Sequence, residues 1–177
     1  MENKEHGESV SIQEMQPPEI LSIVHAQHGD PFSYLGPHWI QEEGSRSLAI
    51  RTLRPGARQV SILWTGGGTT EVSLIHTEGL FEAVIPSENL QLPVGEPVNP
   101  AAYRLRYVFA DGNTFETHDP YAFPPVLTDY DLYLAGEGSD YLKYEKLGAH
   151  VREVAGIRGV QFGVWAPNAK RVSCRRS

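Results

Sequence analysis

A single cysteine, Cys174, stands in 177 residues. No disulfide framework can hold such a chain, so its stability has to come from a packed apolar core. No run approaches the ~20 apolar residues that a membrane helix requires, and no membrane partner is expected. Cationic side chains are scarce as well: 15 Lys and Arg face 22 Asp and Glu, a formal net charge of -7. Nucleic acids and anionic membrane surfaces both need clustered Lys and Arg, so neither is expected to bind. A neutral polysaccharide makes no such demand. The opening MENKEHGESV has no apolar stretch of the signal-peptide kind, and a cytoplasmic protein is the expectation. What is present, 40% hydrophobic residues, is ordinary for a globular protein.

Residues 1–18 read as a polar leader. Pro17 and Pro18 precede an apolar-periodic segment, Glu19 to Gln27, with Ile20, Ile23 and Val24 on one face. Proline in the first turn, Glu19 near the positive end and Gly29 as a stop predict a short helix. Asp30-Pro31 then opens what reads as an irregular loop containing Gly36-Pro37. From Ser47 the apolar period becomes two. Leu48–Leu53, Val60–Trp64, Glu71–Ile75, Leu80–Ile85, Tyr103–Phe109 and Thr114–His118 read as short strands. Asp111-Gly112 between the last two is a hairpin signal. Short strands with regular turns predict an all-β, immunoglobulin-like sandwich over residues 19–118. Gln91 to Pro100, rich in proline, reads as an inter-strand loop. Residues 119–150 have no clean period and read as a linker. Strand signals resume at Val160–Trp165.

One internal comparison binds these pieces together. Leu48 to Ile62, LAIRTLRPGARQVSI, lies over Val160 to Cys174, VQFGVWAPNAKRVSC. Pro55 then meets Pro167, Ala57 meets Ala169, and Val60-Ser61 meets Val172-Ser173. Two tandem modules of one sandwich type are expected, the second beginning at 151.

Most candidate chemistry in the chain has a plainer explanation. His25 and His28 have helical spacing, yet no cysteine or well-placed acid completes a metal site, and no metal is expected. Gly66-Gly67-Gly68 lacks the Lys-Ser/Thr and helix of a phosphate loop, so it reads as a hairpin turn. Asp129, Asp131 and Glu137 have no strand-end context for paired-carboxylate hydrolysis. Trp64 and Trp165 sit in apolar strands and are assigned to the core. Trp39 follows Gly36-Pro37-His38 and is the candidate exposed platform for a sugar ring. Five tyrosines, at 121, 130, 133, 141 and 144, are expected to pin the linker against a larger body.

Three segments are distinctive in combination: DPFSYLGPH (Asp30–His38), DPYAFPPVLTDYDLYLAGEGSDYLKYEKLGAH (Asp119–His150) and GVQFGVWAPNAKRVS (Gly159–Ser173). Together, in this order, they resemble the front of bacterial glycogen branching enzymes. The resemblance implies two amino-terminal, early-set sandwich modules ahead of an α-amylase-type barrel and a carboxyl-terminal β-domain. It also implies a parent that cuts an α-1,4-glucan, holds the cut end on an aspartate and transfers it to a 6-hydroxyl, with a glutamate as acid/base.

Such a barrel takes about 250 residues, so no catalytic residue carries over and this chain is expected to be inactive. No cofactor is implied. The implied partners are α-glucan (glycogen or maltooligosaccharide) and the remainder of the enzyme; the motifs carry over no contact residue, and Trp39 is the candidate glucan contact from its loop position alone. A stand-alone glycan-binding or regulatory module is the alternative. The pattern departs at Cys174-Arg175-Arg176-Ser177, where the family has a Val-Val-Gly-like strand. The expectation is a second module cut short over 151–177, its last four residues read out of frame after one inserted base.

Overall fold

The computed structural model describes residues 17–42, 44–125, 127, 130, 133, 134, 137, 146–164 and 166. Trp165, Asp129, Asp131, Tyr141, Tyr144, the Pro167-to-Cys174 half of the repeat and the Cys174–Ser177 tail all lie outside them. The chain divides into two compact units, one built from residues 1–98 and 102–122, the other from 99–101 and 123–177.

The first unit opens with helix α1, Pro18–Val24, which has proline in its first turn and Glu19 beside it. It stops before Gly29, earlier than expected. The Ala26 N–H reaches the Ile23 carbonyl and the Gln27 N–H the Ser22 carbonyl, with Ala26 left-handed at φ 54°. This is the Schellman closure that glycine usually makes.

Seven strands follow: β1 (Gly36–Glu42), β2 (Ser45–Leu53), β3 (Ala57–Trp64), β4 (Thr69–His76), β5 (Leu80–Pro86), β6 (Tyr103–Phe109) and β7 (Thr114–Thr117). They form an antiparallel sheet in the order β1-β2-β5-β4-β3-β6-β7. The sheet curls so that its two halves face each other, as in a sandwich. Leu48 and Ile50 of β2, Phe81 and Ile85 of β5, Val60 and Ile62 of β3, and Tyr103, Leu105 and Tyr107 of β6 share one buried cluster. Across it, β2 and β6 are joined by Thr52 Oγ1 and the Tyr107 hydroxyl at 3.0 Å. A smaller cluster seats the helix, Ile23 packing with Tyr34, Leu35 and Leu80. The all-β sandwich with a short amino-terminal helix is therefore the observed architecture.

Strand β1 corrects the reading of 36–42 as loop. It is an edge strand, where proline is tolerated because a backbone donor can be spared, and Pro37 pairs opposite Ile50. Two copies of one turn fix the approach to it. Asp30 Oδ1 accepts from the Phe32 N–H at 3.1 Å, and Asp119 Oδ1 accepts from the Tyr121 N–H at 3.0 Å. Each aspartate precedes proline and starts a single 3-10 turn, Pro31–Ser33 and Pro120–Ala122. The Phe32 and Tyr121 rings meet edge to face at 5.1 Å. Gly36, at φ 91°, lets the Tyr121 backbone come so close that a Cβ there would sit 2.7 Å from its carbonyl oxygen.

The strands described in the second unit form a hairpin of β8 (Gly148–Val154) and β9 (Ile157–Gly163). Ala155 and Gly156, at φ 53° and 77°, form the two-residue loop with the positive angles of a type I′ turn. The hairpin reproduces β1–β2 residue for residue. Gly36 faces Arg51 and Glu42 faces Ser45 in the first, as Gly148 faces Gly163 and Val154 faces Ile157 in the second. Both begin with Leu-Gly-x-His: His38 Nε2 lies 2.9 Å from the Leu35 carbonyl oxygen, and His150 Nε2 lies 2.8 Å from that of Leu147.

Candidate functional site

Trp39, the expected loop platform, stands instead on β1, half-buried and packed against the main core. Its indole N–H donates to the Glu96 carbonyl at 2.7 Å, which ties the Gln91–Pro100 loop down. Leu92 and Val98 of that loop pack onto the same core.

Trp64, assigned to the core from the sequence, is half-buried at the end of β3. One side of it meets Tyr103, centroids 5.7 Å apart and tilted by 56°. Its N–H donates to Thr70 Oγ1 at 2.9 Å, so the ring is held from two directions. Beside it lies a cleft of about 270 Å³, lined among others by Trp64, Gly66, Gly67, Asn89, Gln91 and Leu92. The three glycines make the β3–β4 turn. The Gly67 N–H donates to the Trp64 carbonyl at 3.0 Å, while Gly67 and Gly68 take φ of 97° and 92°. This is a hairpin turn, as read from the sequence, with no helix behind it.

The remaining sequence candidates do not converge. His28 accepts from the Asp30 N–H through Nδ1 at 3.2 Å, with Nε2 3.9 Å from Glu19, while His25 is exposed. No group of three His, Cys, Asp or Glu suited to a metal occurs among the described residues. Glu137 accepts a 2.7 Å bond from the Tyr133 hydroxyl, and both side chains are exposed.

One carboxyl in the expected linker is fully buried. Asp119 takes the Tyr103 hydroxyl on Oδ2 at 2.7 Å. Burial pushes its pKa up from 3.8, against the lowering pull of the Tyr103 and Tyr121 hydrogen bonds and the charge of His38. Burial, followed by the neighbouring Asp119, likewise pushes Tyr103 well above 10.0. A carboxyl with 0% exposure closes the fold rather than meeting a substrate. Its signal was the repeated Asp-Pro-aromatic word.

The arrangement is thus a β-module with an aromatic, amide-lined cleft and no assembled acid/base pair among the described residues. The model of the alpha-1,4-glucan branching enzyme GlgB N-terminal domain matches residues 16–121. A 1,4-alpha-glucan branching enzyme GlgB of Rubrobacter xylanophilus is 44% identical over 155 residues, covering 87% of this chain and 19% of that protein. One of Paramagnetospirillum magneticum is 47% identical over 152 residues, covering 86% and 18%. The chain belongs to the GlgB amino-terminal domain family. It spans about a fifth of the length of these relatives and corresponds to the non-catalytic amino-terminal region of the branching enzymes it matches.

Among solved structures, the catalytic module of the multi-modular glycogen-degrading pneumococcal virulence factor SpuA, in complex with an inhibitor, is similar at 18% identity. Its TM-score is 0.36, over 58% of this chain and 14% of that one, too slight a likeness to define the fold by itself. No helix among the described residues is long and apolar enough to cross a membrane.

Proposed function

We propose that this chain serves a 1,4-alpha-glucan branching enzyme of glycogen biosynthesis as its glucan-engaging front, without transferase activity of its own. The observation that carries the reading is the family match over residues 16–121 in a chain spanning 19% of its relatives. Transfer of a cut α-1,4 chain to a 6-hydroxyl belongs to the remainder of such an enzyme, which is the chain's first partner. Its second is α-glucan of the glycogen or maltooligosaccharide type. Trp39, half-buried on the edge strand, is the contact that the sequence offers. A cytoplasmic location is part of the same reading, supported by the lone Cys174.

The proposed organisation is a leader (1–18), a first module (19–118), a linker (119–150) and the start of a second module (151–177). The buried Asp119 and its 3-10 turn support carrying the first module to Ala122, and β8 supports starting the second at Gly148.

Electrophoresis of the chain through native gels with and without glycogen tests the binding half. Retardation by glycogen is expected, and unchanged mobility overturns it. Incubation with amylose followed by debranching and chain-length analysis tests the other half. New α-1,6 linkages above a protein-free control overturn the inactive assignment.

A further inference from the structure

We infer that the cleft beside Trp64, rather than the face of Trp39, is a subsite for one ring of an α-glucan chain; this rests on the glucan-binding reading above. A pyranose presents two kinds of surface. Its C–H faces prefer apolar or aromatic partners, and its hydroxyls need groups that both donate and accept. The cleft supplies both. Trp64, Leu90, Leu92 and Ala102 give it apolar surface, with the indole fixed by Tyr103 and Thr70 before any ligand arrives. Holding the ring in place beforehand lowers the ordering cost of binding.

Exposed Asn89 and Gln91 stand at its edge. Their amides donate and accept at once, as carboxylates and ammonium groups do not. In a chain with 22 acids and 15 bases, none of the residues lining this cleft is charged. An uncharged ligand matches that lining, whereas a phosphate or carboxylate would find no counter-charge. The lip is made by Gly66 and Gly67, which have nothing within 4 Å of where a Cβ would stand. A chain longer than the cleft can therefore run out over backbone alone.

Size sets the occupancy. At about 270 Å³ the cleft falls just below the ~300–1,000 Å³ of sites that enclose a drug-sized ligand. It takes a ring, not a helix turn of glucan. Trp39 packs on the core and has its N–H taken by Glu96, much as that of Trp64 is taken by Thr70; what it lacks is a place in the lining of this cleft.

The deciding experiment is titration of the isotope-labelled chain with maltoheptaose, followed by amide and indole N–H resonances. Shifts are expected at the Trp64 indole and at residues 65–67 and 89–92, with the Trp39 indole unmoved. Asn89→Ala/Gln91→Ala removes two exposed side chains without touching the core. It is expected to weaken binding about fivefold, the size of one or two lost net hydrogen bonds. Shifts centred on the Trp39 indole, or undiminished affinity in that double variant, overturn the cleft while leaving glucan binding intact. Absence of any shift, together with unchanged mobility in glycogen gels, overturns both.

Discussion

The β1–β2 and β8–β9 hairpins share register, turn length and an Leu-Gly-x-His start, yet their apolar faces meet opposite fates. The internal repeat lays Leu48 over Val160 and Ile50 over Phe162. Leu48 and Ile50 are 0% exposed, whereas Val160 and Phe162 are 53% and 56% exposed. Alternation and turn chemistry are enough to define a hairpin, since they act between neighbours in the chain. Burial needs a second layer. In the first unit it comes from β3 and β6, which contribute Val60, Ile62, Tyr103 and Leu105 to the same cluster. A lone two-stranded hairpin is marginal in water for want of such a layer.

Matched substitutions test this contrast. The largest effect is expected at the apolar positions themselves. Ile50→Ala should cost about 2–5 kcal/mol in urea unfolding, the usual range for emptying a core site. Its repeat partner Phe162→Ala should stay within about 0.5 kcal/mol, as exposed sites do. Equal losses at both would mean that the second hairpin is buried in solution.

Glycines give the next comparison. Gly79, at φ 91°, would place a Cβ 2.5 Å from the Arg54 carbonyl oxygen, and its own carbonyl accepts the Arg54 N–H at 2.7 Å. Gly156, at φ 77°, has open space around it. Gly79→Ala should destabilise the first unit by about 1–3 kcal/mol, the cost of a strained backbone position. Gly156→Ala should leave that unit's unfolding midpoint unmoved, and a shift there would show that the two units unfold as one.

A pH effect is expected from the first unit through Asp119. Because burial raises its folded pKa above 3.8, the unfolded chain releases this proton first as pH rises. The stability contributed by the neutral carboxyl is complete below the unfolded pKa and is lost as pH climbs through the raised folded value. Asp119→Asn keeps an acceptor oxygen for the Tyr121 N–H, can donate from its amide to the Tyr103 oxygen, and removes the titration. Its urea midpoint should therefore fall less between pH 4 and pH 7 than that of the parent chain. Parallel pH profiles would assign the dependence to other groups.

The smallest effects concern two alanines with positive φ, Ala26 at 54° and Ala155 at 53°. Ala26→Gly should raise the first unit's stability by about 0.5–1 kcal/mol, the relief of a left-handed residue at a helix end. Ala155→Asn should increase hydrogen-exchange protection in β8 and β9 only, since asparagine suits a type I′ position.

Legibility followed the same division between local and distant causes. Strands with clear alternation, such as Tyr103–Phe109, were readable because each residue's neighbours two positions away carry the pattern. β1 was hidden by Pro37 and by an apolar pair, Trp39-Ile40, that does not alternate. β8, GAHVREV, is a strand by virtue of its partner and its turn. The signal available for both was Leu-Gly-x-His, present at 35–38 and 147–150. The cleft was not legible at all, because it joins residues 64–67 to 89–92 through the curl of the sheet. Its local hint was a tryptophan next to three glycines. The family resemblance was readable from words such as DPF and DPY, but their work in the fold, an aspartate-capped turn at each end of the module, emerges only in three dimensions.

Those paired turns also bear on how the module folds in time. Phe32 and Tyr121 lie about 90 positions apart, and the entropy of closing so long a loop grows only with the logarithm of its length. Closure is thermodynamically modest, yet contacts of this separation are the kind that slow folding, and a late closure is expected. The strand hairpins have their partners nearby and can pair first. The Asp119 side chain takes a hydroxyl from β6 and the N–H of Tyr121, whose ring meets Phe32, so its bonds are expected to be complete only when the two ends of the module have met.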